Sequence, residues 1–300
     1  MTQPNPLLKR LGLADTDRAV ILHADDIGMC QSTITAYADL FAFGALSSAA
    51  VMVPCPWFRA AADEITRPAD RARDVGVHVT LTSEWPNYRW GAVSTADPAT
   101  GLFDDQGYFP RNIDLAAPSA TGAAVATEIR AQIERALAAG IDVTHIDTHM
   151  GTVFTPRYLP IYLELASEYG LPALLPRSDE ARLRAMGYGA EDSVELARLN
   201  REAEERGLPL FDHVYCMSLS AHTERLQEAV QALAGCPPGL THFIIHPATD
   251  TPELRAIAPD WRSRAADRAL FLDEAWRNAI AESGVQVIGY RALRDALRAG

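Results

Sequence analysis

The sequence contains no apolar run near the roughly 18 residues that a membrane-spanning helix needs. Its opening stretch, MTQPNPLLKRLGLADTD, has no apolar core of the kind found in secretion signals. Both features predict a cytoplasmic protein, neither exported by a standard signal nor embedded in a bilayer. There is no block of Lys or Arg, and the formal net charge is -12 with a pI near 5.1. Recognition of a phosphate backbone needs concentrated positive surface, so no nucleic-acid partner is expected, and small neutral or cationic substrates fit better. Cysteine is scarce: Cys30, Cys55, Cys216 and Cys236 lie far apart with no CxxC and no metal-type spacing, and read as reduced, mostly buried thiols. With no internal repeat, low-complexity tract or linker, the expectation is one domain over residues 1–300.

What is present is an ordinary globular composition, 48% apolar and 22% charged. Short β-branched runs alternate with longer Ala/Leu/Arg/Glu-rich stretches of helical spacing, the pattern of βα units around a mainly parallel sheet. Strands are predicted at 19–24, 47–53, 75–82, 143–149, 173–176, 213–217, 242–246 and 285–288. Helices are predicted at 30–42, 57–66, 122–139, 157–169, 188–206, 221–234, 262–283 and 291–298. Seven or eight strands in this order fit an α/β fold, a distorted TIM-like (β/α) barrel, with a doubly wound open sheet as the rival. The barrel is favoured because polar residues recur at strand ends, where a barrel gathers them on one face. The segment 83–120, rich in Trp, Tyr, Pro, Gly and Asp, interrupts the alternation and reads as an insertion beside that face. Its Trp85, Tyr88, Trp90, Tyr108 and Phe109 offer flat faces for sugar rings, or else pack the insertion onto the barrel.

The chemistry-bearing residues close these strands. In LHADDIG the adjacent Asp25 and Asp26 should point to opposite sides of a strand, so one can bind a metal while the other acts as a base or orients a ligand. The alternative is that one of them caps the following helix. His78 in VGVHVTL lies on the polar face of its strand, and HIDTHM places His145, Asp147 and His149 on one side. His149, nearest the strand end, is the candidate ligand, with Asp147 or His145 deeper as support; a polar seam plugging the barrel is the other reading. His246 in FIIHPAT precedes a proline that ends its strand and is a candidate general acid. Arg177, after ALLP, can anchor a substrate oxygen, hold a carboxylate or simply face solvent. His23, His213, His222 and His242 have no comparable context.

A metal hydrolase accounts for such a set, because two histidines and one carboxylate leave an open position for water on a divalent ion. Taken together, ADDIG, GVHVTLTSEW, HIDTH, a strand ending at Arg177 and HPA resemble the YdjC/ChbG-like carbohydrate deacetylases, relatives of the polysaccharide deacetylases. The resemblance covers most of the chain and keeps the family's motif order. It implies a distorted (β/α) barrel that removes acetyl groups from N-acetylated sugars with one divalent metal ion, often magnesium, and homo-oligomers are common in the family. Carried over by motif, Asp26, His78 and His149 become the metal ligands, Asp25 the base and His246 the acid; Arg177 and Trp85 are candidate substrate contacts from the reading of the residues alone. One departure is that His149 is followed by Met150-Gly151-Thr152, where the family often continues with histidines. The residues alone permit magnesium, zinc, manganese or cobalt. They also permit an amidohydrolase, a phosphoesterase or a non-catalytic carbohydrate-binding relative.

Overall fold

The runs rich in Val, Ile and Ala form seven strands in the computed structural model, which describes residues 4–69 and 72–299. These are β1 (Arg18–Ile27), β2 (Ser48–Val51), β3 (Val75–Val79), β4 (Val143–Thr148), β5 (His213–Cys216), β6 (Gly239–Ile245) and β7 (Gln286–Val287). They pair in the order β4-β3-β2-β1-β6-β5, with β7 added to β1, and every pair is parallel. β2, β3, β4 and β6 are buried along their whole length, which is why they read as near-continuous apolar runs.

The predicted strand at 173–176 survives only as two single bridges, Ile146 to Ala173 and Pro176 to Phe211. Pro172 and Pro176 have no amide hydrogen to give a ladder, so the segment cannot pair continuously. It still joins the two edges of the sheet. The amide of Ile146 donates to Pro172 (3.0 Å), Leu174 to Ile146 (2.9 Å), Phe211 to Leu175 (2.9 Å) and Arg177 to Phe211 (2.7 Å). The parallel sheet therefore curls into a distorted α/β barrel with this segment as its seam.

Predicted helices recur with local changes that have identifiable causes. The 262–283 helix is two, Trp261–Phe271 and Glu274–Ser283, because the Asp273 carboxylate caps a new start by accepting from the Ala275 amide. The 188–206 helix is Ala190–Glu205, with a separate turn of helix at Glu180–Ala185 capped by Asp179. Pro6–Arg10, Ile113–Ser119 and Pro252–Ile257 are too short to show a helical period in the sequence. Among the described residues no helix is long and apolar enough to cross a membrane.

The 83–120 segment packs over the C-terminal ends of the strands and is held by specific bonds. The buried Glu128 carboxylate accepts from the Val93 and Ser94 amides, the Trp90 indole donates to the Thr82 carbonyl (2.7 Å) and the Tyr88 hydroxyl to the Met29 carbonyl (2.7 Å). Trp85, Trp90 and Phe109 are buried, so these rings pack the insertion onto the barrel; Tyr108 is exposed.

Candidate metal centre

The strand alternation that should send Asp25 and Asp26 to opposite sides is broken by a β-bulge. Along β1 the pairing with β2 runs His23 to Ser48, Ala24 to Ala49 and then Ile27 to Val51, so the two acids face a single partner residue. Asp26 also adopts φ of 65°, a left-handed conformation uncommon for a non-glycine residue and tolerated mainly where surrounding contacts fix it. Both carboxylates thereby reach the same interior, near the end of β3. Neither caps the following helix, which begins after Cys30 without a side-chain cap.

Asp26, His78 and His149, from β1, β3 and the turn after β4, come together as the motifs predict. Their ligand atoms lie within 4.8 Å of one another, and all three residues are buried. Asp26 Oδ1 lies 3.4 Å from His78 Nε2 and 3.2 Å from His149 Nδ1. The outward nitrogens are both spoken for: His78 Nδ1 contacts Asp147 Oδ1 at 2.7 Å and His149 Nε2 contacts Glu84 Oε2 at 3.0 Å. A carboxylate behind each imidazole fixes the tautomer that leaves the inner nitrogen bare for a cation. Asp26 Oδ1 is buried without a hydrogen-bond partner, while Oδ2 accepts from Arg264 Nη1 at 2.7 Å. An unpartnered carboxylate oxygen facing two orientable imidazole nitrogens fits a divalent ion.

The electrostatics agree. Burial opposes the charge on Asp26, but Arg264 and His149 hold its carboxyl well below the usual carboxylate range. Burial likewise opposes a charged His78, yet Asp147 and Asp25 raise its pKa well above the ordinary histidine value. For His149 burial is outweighed by Glu84 and Asp26, and its pKa is pushed up to about 9. In the metal-free protein both rings therefore carry protons that a cation must displace. Metal affinity is expected to rise with pH, by about tenfold per unit for each proton displaced, and the part of that rise owed to His149 should level off above about 9. Titration calorimetry in buffers of different ionisation heats should count close to two protons released at neutral pH; no release would contradict the ligand set.

Asp25 and His246 flank this triad. Asp25 Oδ2 is 3.8 Å from His78 Nε2 and 3.8 Å from His246 Nε2, while Asp25 Oδ1 contacts His23 Nδ1 at 2.7 Å. Burial works against its charge, but His78, His23 and His246 keep Asp25 ionised. The His246 amide donates to Asp267 Oδ2 at 3.0 Å, which fixes the turn after β6.

Two expected substrate contacts take other places. Arg177 pairs with Glu204 (2.8 Å) and Asp212 (3.4 Å). It lines a cavity of ≈ 610 Å³ with His213 and Gly239, the first residues of β5 and β6, rather than joining the cluster at the strand ends. Trp85 is 4% exposed, stands edge-on to Trp90 and carries the Arg264 guanidinium over its ring, so little of it is left for a sugar. The support of His149 also differs from expectation, since Asp147 backs His78 and the partner of His149 is Glu84. Glu84 lies five residues beyond the end of β3, inside the GVHVTLTSEW motif, which was its one sequence signal. Arg264 sits inside an ordinary helical pattern and gave none.

Residues 19–282 match the YdjC-like protein family. The chain belongs to that family. A carbohydrate deacetylase of Thermus thermophilus is 35% identical over 291 residues, 97% of this chain and 99% of the relative. A carbohydrate deacetylase of Thermoanaerobacter pseudethanolicus is 22% identical over 92% of this chain and 99% of its own length. In fold, this YdjC-like chain resembles a solved structure from Enterococcus faecalis provisionally named a cellobiose-phosphate cleavage protein. The TM-score is 0.76 with 21% identity, covering 92% of this chain and 99% of the other.

Proposed function

We propose that this YdjC-like protein is a metal-dependent deacetylase that hydrolyses the acetamide of an N-acetylated sugar or short oligosaccharide. One observation carries the reading: Asp26 Oδ1, buried and unpartnered, faces the inner nitrogens of His78 and His149, beside an ionised Asp25 and His246. The carbohydrate deacetylases among its relatives supply the substrate class. When bound, a divalent ion supplies Lewis acidity toward the amide carbonyl and toward water. Two imidazoles among three donors favour zinc over magnesium, since magnesium prefers oxygen ligands.

The remaining work falls to the chain. Asp25 presents Oδ2 between His78 and His246 and accepts the proton of the attacking water. His246, held at the end of β6 by Asp267, delivers a proton to the departing nitrogen. A phosphoesterase would need a cation free to clamp phosphoryl oxygens. Arg264, the buried arginine beside the triad, is instead committed to Asp26 (2.7 Å) and Asp260 (2.9 Å). One domain carrying the 83–120 insertion over its active face, in a cytoplasmic setting suited to four free thiols, completes the proposal.

The test is acetate release from N-acetylated mono- and disaccharides with zinc, magnesium, manganese or cobalt added to metal-stripped protein. Metal-restored release from at least one amino sugar is expected. Release unaffected by stripping, or absent with every sugar and metal, would overturn the proposal.

A further inference from the structure

Beneath the triad lies a second group of buried polar side chains that the proposed chemistry does not use. It consists of His23 on β1, Thr144 and His145 on β4, His242 on β6 and Tyr290 at the start of the last helix. His23 Nδ1 meets Asp25 Oδ1 at 2.7 Å, and its other nitrogen meets His145 Nε2 at 3.0 Å. The His145 ring stacks on Tyr290 at 3.6 Å with planes 8° apart, and its Nδ1 contacts Thr144 Oγ1 at 3.0 Å. Thr144 in turn donates to Asp74 Oδ1 at 2.7 Å, just before β3 begins. A hydrogen-bonded chain thus runs through the barrel from Asp74, at the start of the strands, to Asp25 near their ends. Two local sequence features make room for it. β4 carries an extra residue opposite Gly76, and a Cβ at Gly76 would come within 2.5 Å of the His145 ring.

Four side chains here, His23, Asp25, Asp147 and His242, have ligand atoms within 4.8 Å of one another, so a second cation is the competing reading. Two of their atoms, Asp147 Oδ2 and His242 Nε2, have no hydrogen-bond partner. Both nitrogens of His23 and one oxygen of Asp25 are already engaged, however, and ligation would break the chain at its centre. An apolar plug would fill this space at lower desolvation cost, so the polar chain needs a reason to exist.

We propose that His23 is a positioning residue that fixes the Asp25 carboxylate. It donates Nδ1–H to Oδ1, is braced from behind by His145, Thr144 and Tyr290, and leaves Oδ2 aimed at the gap between His78 and His246. This rests on the reading of Asp25 as the base. Removing such a tether costs turnover and not substrate affinity, because the carboxylate remains but samples unproductive rotamers.

The experiment uses full-length, metal-loaded protein with an N-acetylated glucosamine disaccharide and compares His23→Leu, His23→Asn and Asp25→Asn. Asparagine keeps an N–H near the position of Nδ1; leucine does not. His23→Leu should lower kcat by about a hundredfold with KM nearly unchanged, and His23→Asn should recover to within about tenfold of wild type. Crystal structures of the His23 variants should show the Asp25 carboxylate turned away in the leucine protein and in place in the asparagine protein, whatever the turnover. Equal loss in both variants, an effect confined to KM, or an unmoved carboxylate in His23→Leu would overturn the proposal. Two ions per wild-type chain, falling to one in His23→Leu, would also overturn it and make the inner group a metal site. Full turnover in Asp25→Asn would refute the base assignment, while the crystal structures would still decide whether His23 orients the carboxylate.

Discussion

His78→Ala is expected to lose stoichiometric metal and to drop acetate release to background. In the proposed centre His78 supplies one of three inner ligand atoms, and it stands 3.4 Å from Asp26 Oδ1 and 3.8 Å from Asp25 Oδ2. Loss of a partner behind a metal ligand typically costs about 10–100-fold in affinity, and loss of the ligand itself should cost more. The substitution also strands Asp147, whose Oδ1 contacts His78 and whose Oδ2 has no partner. A destabilisation of about 1–3 kcal/mol should therefore appear in the metal-free protein. Metal content by atomic emission and melting by circular dichroism separate the two effects. Ordinary metal content with lowered stability would mean that His78 is only a core histidine.

Asp25→Asn is expected to keep its metal and lose about 10²–10⁴-fold in kcat, the usual contribution of a positioned base. Asparagine preserves shape and can still accept from His23 Nδ1, so the fold and the triad should be undisturbed. What disappears is the charged Oδ2 between His78 and His246. Metal loss in this variant would place Asp25 among the ligands, and full turnover would move the base elsewhere.

The contrast between these variants follows from the bulge in β1, which was not legible in the sequence. Alternation alone sends adjacent acids apart, and only the extra residue opposite β2 lets both enter one interior with different partners. The meeting of Asp26, His78 and His149 could be read because these residues stand at or near the ends of apolar runs, and in a parallel barrel such ends converge by topology. Its support could not. Arg264 lies in a helix far along the chain, where WRSRAADR shows no motif, and only tertiary packing brings its guanidinium to Asp26. His23 and His242 carried no signal either, because a polar residue inside a strand looks the same whether it braces a carboxylate or fills a seam. Arg177 was misplaced for a similar reason. The segment before it pairs with Phe211, ahead of β5, which delivers its side chain to Asp212 and Glu204.

The central claim is that Asp26, His78 and His149 share one divalent cation. Anomalous diffraction from crystals soaked in zinc or manganese tests it most directly. The account predicts one peak per chain, bounded by Asp26 Oδ1, His78 Nε2 and His149 Nδ1. No peak there, or a peak confined to the inner group of His23, Asp147 and His242, would contradict it.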